Sequence, residues 1–235
     1  MHVTINGQQV PVEAGMTILE AAERVGIHIP RLCVHESLTP PAICRLCVVE
    51  WEGARTLVPS CVGQVRDGAV IHTESERVRR ARRTILELLA STVDLSEAPD
   101  LIAYAEELGA DLGRFSEGER RQFPVYDDNP FYVRDYNKCV LCARCVQACA
   151  DDLQFTYALT ISGRGFHSRV DTFFHSPMPD TTCVFCGNCV AVCPTGALKA
   201  KEEILMEEGL APDDIWQRKM AEKRQWRSAD RKSVV

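Results

Sequence analysis

Hydrophobic and polar positions alternate at the start of this chain. Val3 and Ile5 are separated by polar residues, a turn signal follows at Asn6-Gly7, and the alternation resumes at Val10 and Val12. Apolar side chains two apart share one face of a strand, so the pattern predicts a β-hairpin. The period then changes. In ILEAAERVG the apolar residues fall at helical spacing, with Thr17 as N-cap, Glu20 completing a capping box and Gly26 as the stop. CVVEWEGARTLVPSC reads as a second hairpin turning at Glu52-Gly53, and GAVIHTES as a closing strand.

Beyond residue 73 the period is helical. ESERVRRARRTILELLAS places Val78, Ile85, Leu86 and Leu89 on one face, and PDLIAYAEELGADLG predicts a second helix. The basic run Arg77, Arg79, Arg80, Arg82 and Arg83 reads as a solvated face or a contact for an acidic partner. RFSEGERRQFPVYDDNP is a polar connector. Later, LQFTYALTISGRGFHSRVDTFF predicts two strands around Ser162-Gly163-Arg164-Gly165. Near the end, Ile215, Trp216, Met220 and Trp226 could form an apolar stripe for docking, or cover their own domain, ahead of a polar end expected to be disordered.

The twelve cysteines change the picture, because they fall in three quartets with none left over. Residues 139–149 and 183–193 each read C-x2-C-x2-C-x3-C, the second followed by Pro194. Three thiolates in one tight loop can wrap one iron–sulfur cube, and the fourth starts away toward the neighbouring cube. The spacing therefore assigns [4Fe–4S] cluster A to Cys139, Cys142, Cys145 and Cys193, and cluster B to Cys183, Cys186, Cys189 and Cys149. Zinc sites typically use C-x2-C pairs spread over a longer span, and disulfides need an oxidising compartment.

The first quartet is Cys33-x10-Cys44-x2-Cys47-x13-Cys61. Four thiolates among strands in β-grasp order suit a [2Fe–2S] cluster, with zinc as the alternative. Backbone N–H groups of PPAICRLC are expected to hydrogen-bond the sulfurs, and Arg45 is either a tuning charge or a solvent-facing loop cation. Phe131, Tyr132 and Tyr136 are expected to shield the later clusters from water. His167 and His175 read as structural, since the quartets are already complete. The fold class expected is α+β. An N-terminal β-grasp [2Fe–2S] ferredoxin domain (1–73) precedes a helical linker (74–130), a two-cluster [4Fe–4S] ferredoxin domain (131–200) and an amphipathic tail (201–235).

IPRLCVH, the C-x10-C-x2-C-x13-C set, RRTILELLAS and both later runs together resemble the N-terminal region of the large peripheral-arm subunit of respiratory complex I. They are similarly close to the diaphorase ferredoxin subunit of NAD-linked hydrogenases and the front end of NAD-linked formate dehydrogenases. The resemblance spans roughly residues 1–200. It implies an electron-transfer subunit between a flavin, NAD(P)-binding subunit and a catalytic formate dehydrogenase or hydrogenase subunit. FMN, NAD(P) and a molybdenum, tungsten or hydrogenase centre would then sit on those partner chains. Relatives usually hold a further cluster with one His and three Cys. Between Thr73 and Lys138 this chain has neither residue, so that cluster is not expected.

Net charge excludes little: at −6 over 235 residues it disfavours nucleic acid and suits docking between redox partners. The opening residues lack a secretory pattern and no run is long enough to span a membrane, which with the thiols predicts a reducing cytoplasm. No Rossmann fingerprint, P-loop or nucleophile–base pair is legible, so no catalytic residue is assigned. A free-standing multi-cluster carrier is the alternative function.

Overall fold

The computed structural model describes residues 1–230, with side chains described to residue 222. Strands β1 (His2–Ile5) and β2 (Gln8–Pro11) pair antiparallel across Asn6-Gly7, both in the left-handed backbone that a tight hairpin turn needs. Helix α1 (Ile18–Arg24) begins with the expected capping box. Thr17 Oγ1 accepts from Glu20 N at 3.2 Å, and the Glu20 carboxylate accepts from Thr17 N at 2.7 Å. Strands β3 (Val48–Trp51), β4 (Val58–Pro59) and β5 (Val70–His72) complete a five-stranded sheet ordered β2-β1-β5-β3-β4, parallel only between β1 and β5. Ile18, Leu19, Ala21 and Ala22 of α1 are buried with Val3, Ile5, Val10, Val49 and Ile71, and Cys47 and Cys61 belong to the same core. Burial of this stripe and sheet face is what holds the four-cysteine frame rigid.

Helix α2 (Glu76–Thr92) starts at Ser75, whose Oγ accepts from Val78 N, and α3 (Pro99–Leu108) ends on Gly109 in the left-handed region. They pack together, and their apolar faces bury Leu86, Ala90, Leu101 and Leu108 in one core with Leu32, Cys33, Leu46, Val140 and Cys142. In the basic run of α2, Arg77 and Arg80 are exposed as expected, and one residue departs from the solvated face. Arg82 is fully buried, donating to Leu46 O and Val48 O at 3.0 Å each and pairing with Glu74 at 2.7 Å. A cation tolerates that position because three acceptors meet it.

Strand β6 (Tyr132–Arg134) leads into the first tight cysteine run, which ends in α4 (Arg144–Cys149). A hairpin of β7 (Thr160–Ser162) and β8 (Arg169–Asp171) follows, and the second run carries α5 (Asn188–Ala191). Strand β9 (Leu198–Ala200) then returns to pair antiparallel with β6. Helices α6 (Lys201–Glu207) and α7 (Pro212–Asp230) follow. The described part of the expected apolar stripe of α7 lies together: Ile215, Trp216 and Met220 line one groove with Phe131 and Met206, Ile215 buried and Trp216 exposed. Trp226 and the polar end lie outside the residues whose side chains are described. No described helix is long and apolar enough to cross a membrane.

Candidate iron–sulfur sites

The first quartet is brought together by loop and sheet. Cys33, Cys47 and Cys61 are buried and Cys44 half-buried. The thiols lie near one another as two pairs, Cys33 with Cys44 and Cys47 with Cys61. Ala42 and Arg45 take left-handed backbone, and the turns aim N–H groups inward, those of Ile43 and Cys44 at the Cys33 sulfur and that of Leu46 at Cys44. Arg45 itself is exposed. Within each pair the partner thiol's hydrogen bond pulls one sulfur down, Cys33 and Cys47 each to about 6, and pushes Cys44 and Cys61 up. Ser60 Oγ is fully buried without a hydrogen-bond partner and lies near the Cys47 sulfur. Inward donors and an orphaned hydroxyl suit a thiolate-bound cluster, whose sulfurs accept hydrogen bonds.

The two later runs form near-identical loops. Leu141 and Phe185 sit at φ +56° and +55°, and Ala143 and Gly187 at +63° and +82°. Leu141 N donates to Cys139 Sγ and Phe185 N to Cys183 Sγ, each at 3.4 Å. Such backbone is costly for non-glycine residues and persists where its surroundings require it. Here it points N–H groups at sulfur. Helices α4 and α5 pack against each other; α4 ends on Cys149 and Cys193 follows α5 by two residues, and each lies at the other run's cavity. One cavity, A, is lined by Cys139, Cys142, Cys145 and Cys193; the other, B, by Cys183, Cys186, Cys189 and Cys149. Burial pushes the Cys142 and Cys189 thiols up to about 12 and raises Cys139 and Cys145 as well. Thiols so placed ionise only beside positive charge, which bound iron supplies.

Their surroundings differ. Cavity A is closed by Tyr136, Val170 of β8 and Leu198 of β9, and Arg121 Nη2 donates to Cys139 O at 2.6 Å. Cavity B is closed by Tyr132, Ala158 and Leu159, with Tyr132 Oη 3.4 Å from Cys183 Sγ and Thr156 Oγ1 3.3 Å from Cys149 Sγ. Burial and the Cys183 contact raise the Tyr132 phenol, so it stays a neutral donor. Cys186 is exposed. Phe131 lies apart from both cavities, 43% exposed and packed on Phe185. His167 and His175 line neither cavity; His175 contacts the buried carboxylate of Asp171. Arg121, Thr156, Ser60 and Val170 carry no motif, and only their position in the fold singles them out.

Two family models match this chain, a 2Fe-2S iron-sulfur cluster binding domain over residues 1–76 and a 4Fe-4S dicluster domain over 138–197. A crystal structure of NAD+-reducing [NiFe]-hydrogenase in the H2-reduced state contains a chain that superposes with a TM-score of 0.76 at 32% identity, covering 85% of this chain and 87% of that one. This chain belongs to that iron–sulfur family. The family also takes in the NADP-reducing hydrogenase subunit HndD of Solidesulfovibrio fructosivorans, 40% identical over 92% of this chain and 39% of that protein. The mitochondrial 78 kDa subunit of NADH-ubiquinone oxidoreductase from Candida albicans is 32% identical over 86% of this chain and 28% of its own length. The chain thus spans two fifths or less of these curated relatives. Family membership accounts for the two kinds of cluster domain in one chain, and the family's shared part is the iron–sulfur region itself.

Proposed function

We propose that this chain is the electron-transfer subunit of an NAD(P)-linked oxidoreductase, with Cys33, Cys44, Cys47 and Cys61 holding a [2Fe–2S] cluster. Cys139, Cys142, Cys145 and Cys193 hold one [4Fe–4S] cluster in cavity A, and Cys183, Cys186, Cys189 and Cys149 a second in cavity B. When bound, each cluster supplies a one-electron couple. The chain's residues supply ligation, exclusion of water and fixed dipoles. Cores 1–73 and 131–200 are taken as the two cluster domains, with 74–130 between them and 201–235 as a peripheral tail.

One observation carries this reading: the three quartets follow one another through shared apolar cores. Cys33 is buried in the same core as Cys142, and Cys139 and Cys145 in the same core as Cys189. Arg144 links the first two sites, its Nη2 donating to Val34 O at 2.7 Å and its backbone N–H bonding the Cys142 sulfur. This packing supports a route from the two-iron site through A to B. The partners inferred are a flavin subunit that handles NAD(P)H and a catalytic subunit of the hydrogenase type, in a reducing cytoplasm. A formate dehydrogenase partner is the second possibility.

Anaerobic affinity purification from the native host tests the reading. The expected preparation holds about ten irons per chain, from one two-iron and two four-iron clusters, and carries a flavin subunit and a hydrogenase subunit. About two metal ions with zinc among them would overturn the cluster assignment. A partner-free chain with all three clusters would replace the subunit reading with a free carrier.

A further inference from the structure

Three arginines are buried among the described residues: Arg82 and Arg134 fully, and Arg121 nearly so, at the edge of a groove with Gln122, Phe123 and His167. Two have carboxylate partners. Arg82 pairs with Glu74 at 2.7 Å, and Arg134 with Asp128 at 2.5 Å. Arg121 has only carbonyls among the described residues, Cys139 O at 2.6 Å and Ser168 O at 3.4 Å, while its Nε is buried without an acceptor. A guanidinium so largely removed from water and without a carboxylate partner favours a negative charge nearby. The residue beside it is Cys139, one of the four cysteines of cavity A, whose carbonyl takes the Nη2 hydrogen bond. At cavity B, the hydrogen bonds to sulfur from other side chains come from neutral hydroxyls, Tyr132 and Thr156.

We propose that Arg121 is the built-in counter-ion of the four-iron cluster held in cavity A and raises its reduction potential. The inference rests on the ligand assignment above. A cluster bound by four thiolates carries net negative charge, and one-electron reduction adds one more unit while Arg121 stays protonated. The electron comes from the neighbouring cluster or an added reductant such as dithionite, and no bond is made or broken. A fixed positive charge stabilises the reduced form more than the oxidised form. Arg121 is a positioning and tuning residue, since it reaches the cluster through Cys139.

The test is a redox titration of the full chain followed by electron paramagnetic resonance, for wild type, Arg121→Gln, Arg121→Lys and Ser168→Asp. Arg121→Gln is expected to lower one four-iron midpoint by about tenfold in the reduction equilibrium, roughly 59 mV for one electron. The other four-iron wave and the two-iron wave stay in place. The moving wave is the one that Cys193→Ser perturbs. Arg121→Lys, which keeps the charge, is expected to retain most of the wild-type value. Ser168→Asp leaves Arg121 in place, adds a carboxylate on the residue whose carbonyl Arg121 contacts and is expected to move the same wave down even if Arg121→Gln fails to assemble. An unmoved wave with full iron content overturns the proposal and leaves the cluster assignment standing, and so does an equal shift of all three waves. Wild-type protein without four-iron signals overturns the assignment beneath it.

Discussion

The two tight cysteine loops share a backbone and differ in everything around it. Leu141 and Ala143 repeat the left-handed geometry of Phe185 and Gly187, and each loop donates an N–H to its first cysteine at the same distance. Yet loop A takes a guanidinium on the carbonyl of its first cysteine, while loop B keeps Cys186 exposed and meets two hydroxyls. A short spacing motif dictates how the chain wraps a cluster, because ligand geometry and N–H direction are local. Potential and access are set by burial and nearby charge, which are not local. Duplicated loops can therefore hold unlike couples.

The sharpest way to break the pairing is to remove the crossing cysteines one at a time. Cys193→Ser is expected to damage the cluster of cavity A, and Cys149→Ser that of cavity B. Each would lose up to about four irons of ten, read by metal analysis and the two four-iron signals. Loss of the same cluster in both variants would show that the ligation is not crossed.

Next in size is the frame that links the loops. Asp128 Oδ2 accepts from Arg134 Nη2 of β6 at 2.5 Å and from Met178 N, five residues before loop B, at 2.8 Å. Asp128→Asn leaves Arg134 buried without its partner charge and is expected to cost about 3 kcal/mol, seen as a lower thermal midpoint at fixed heating rate. Burial alone would raise the Asp128 carboxyl, but the Met178 N–H and the Arg134 charge outweigh it and hold it below the usual range. Its stabilisation is thus present above about pH 3.9 and lost as pH falls through the lowered folded value. Asp128→Asn is expected to remove that part of the acid slope. An unchanged slope would assign acid sensitivity elsewhere.

Smaller is the exchange of backbone freedom between the loops. A Cβ at Gly187 would meet nothing within 4 Å, so Gly187→Ala is expected to cost only the left-handed backbone term, about 1 kcal/mol. Ala143→Gly in the other loop relieves that term. Opposite signs in denaturant titration would confirm equivalent geometry; equal signs would deny it. The smallest effect is Tyr132→Phe, which removes a hydroxyl from Cys183 Sγ. The cavity B midpoint is expected to fall by about a factor of two in equilibrium, roughly 20 mV, with the cavity A wave unmoved.

Much of this was legible from pattern alone. The hairpin at Asn6-Gly7, the capping box at Thr17 and Glu20, and the strands around Ser162-Gly163-Arg164-Gly165 follow from short-range rules, since both partners of each interaction lie within a few residues. The three quartets were likewise visible as spacing. The burial of Arg82 was not, because which arginine faces inward depends on the carbonyls of Leu46 and Val48, some 35 residues away. Arg121 sat in a polar connector with no periodicity to mark it.

What the sequence by itself determined is the elements up to α3, the β7–β8 hairpin and the grouping of thiols by spacing, because those rest on local backbone geometry and on ligand spacing; the β6–β9 pair joins segments more than 60 residues apart. Only the tertiary structure decided that Cys33 and Cys142 share one core, that Cys186 opens to solvent, and that a lone buried guanidinium faces Cys139. Burial and charge pairing come from segments far apart in the chain, and no spacing rule carries them.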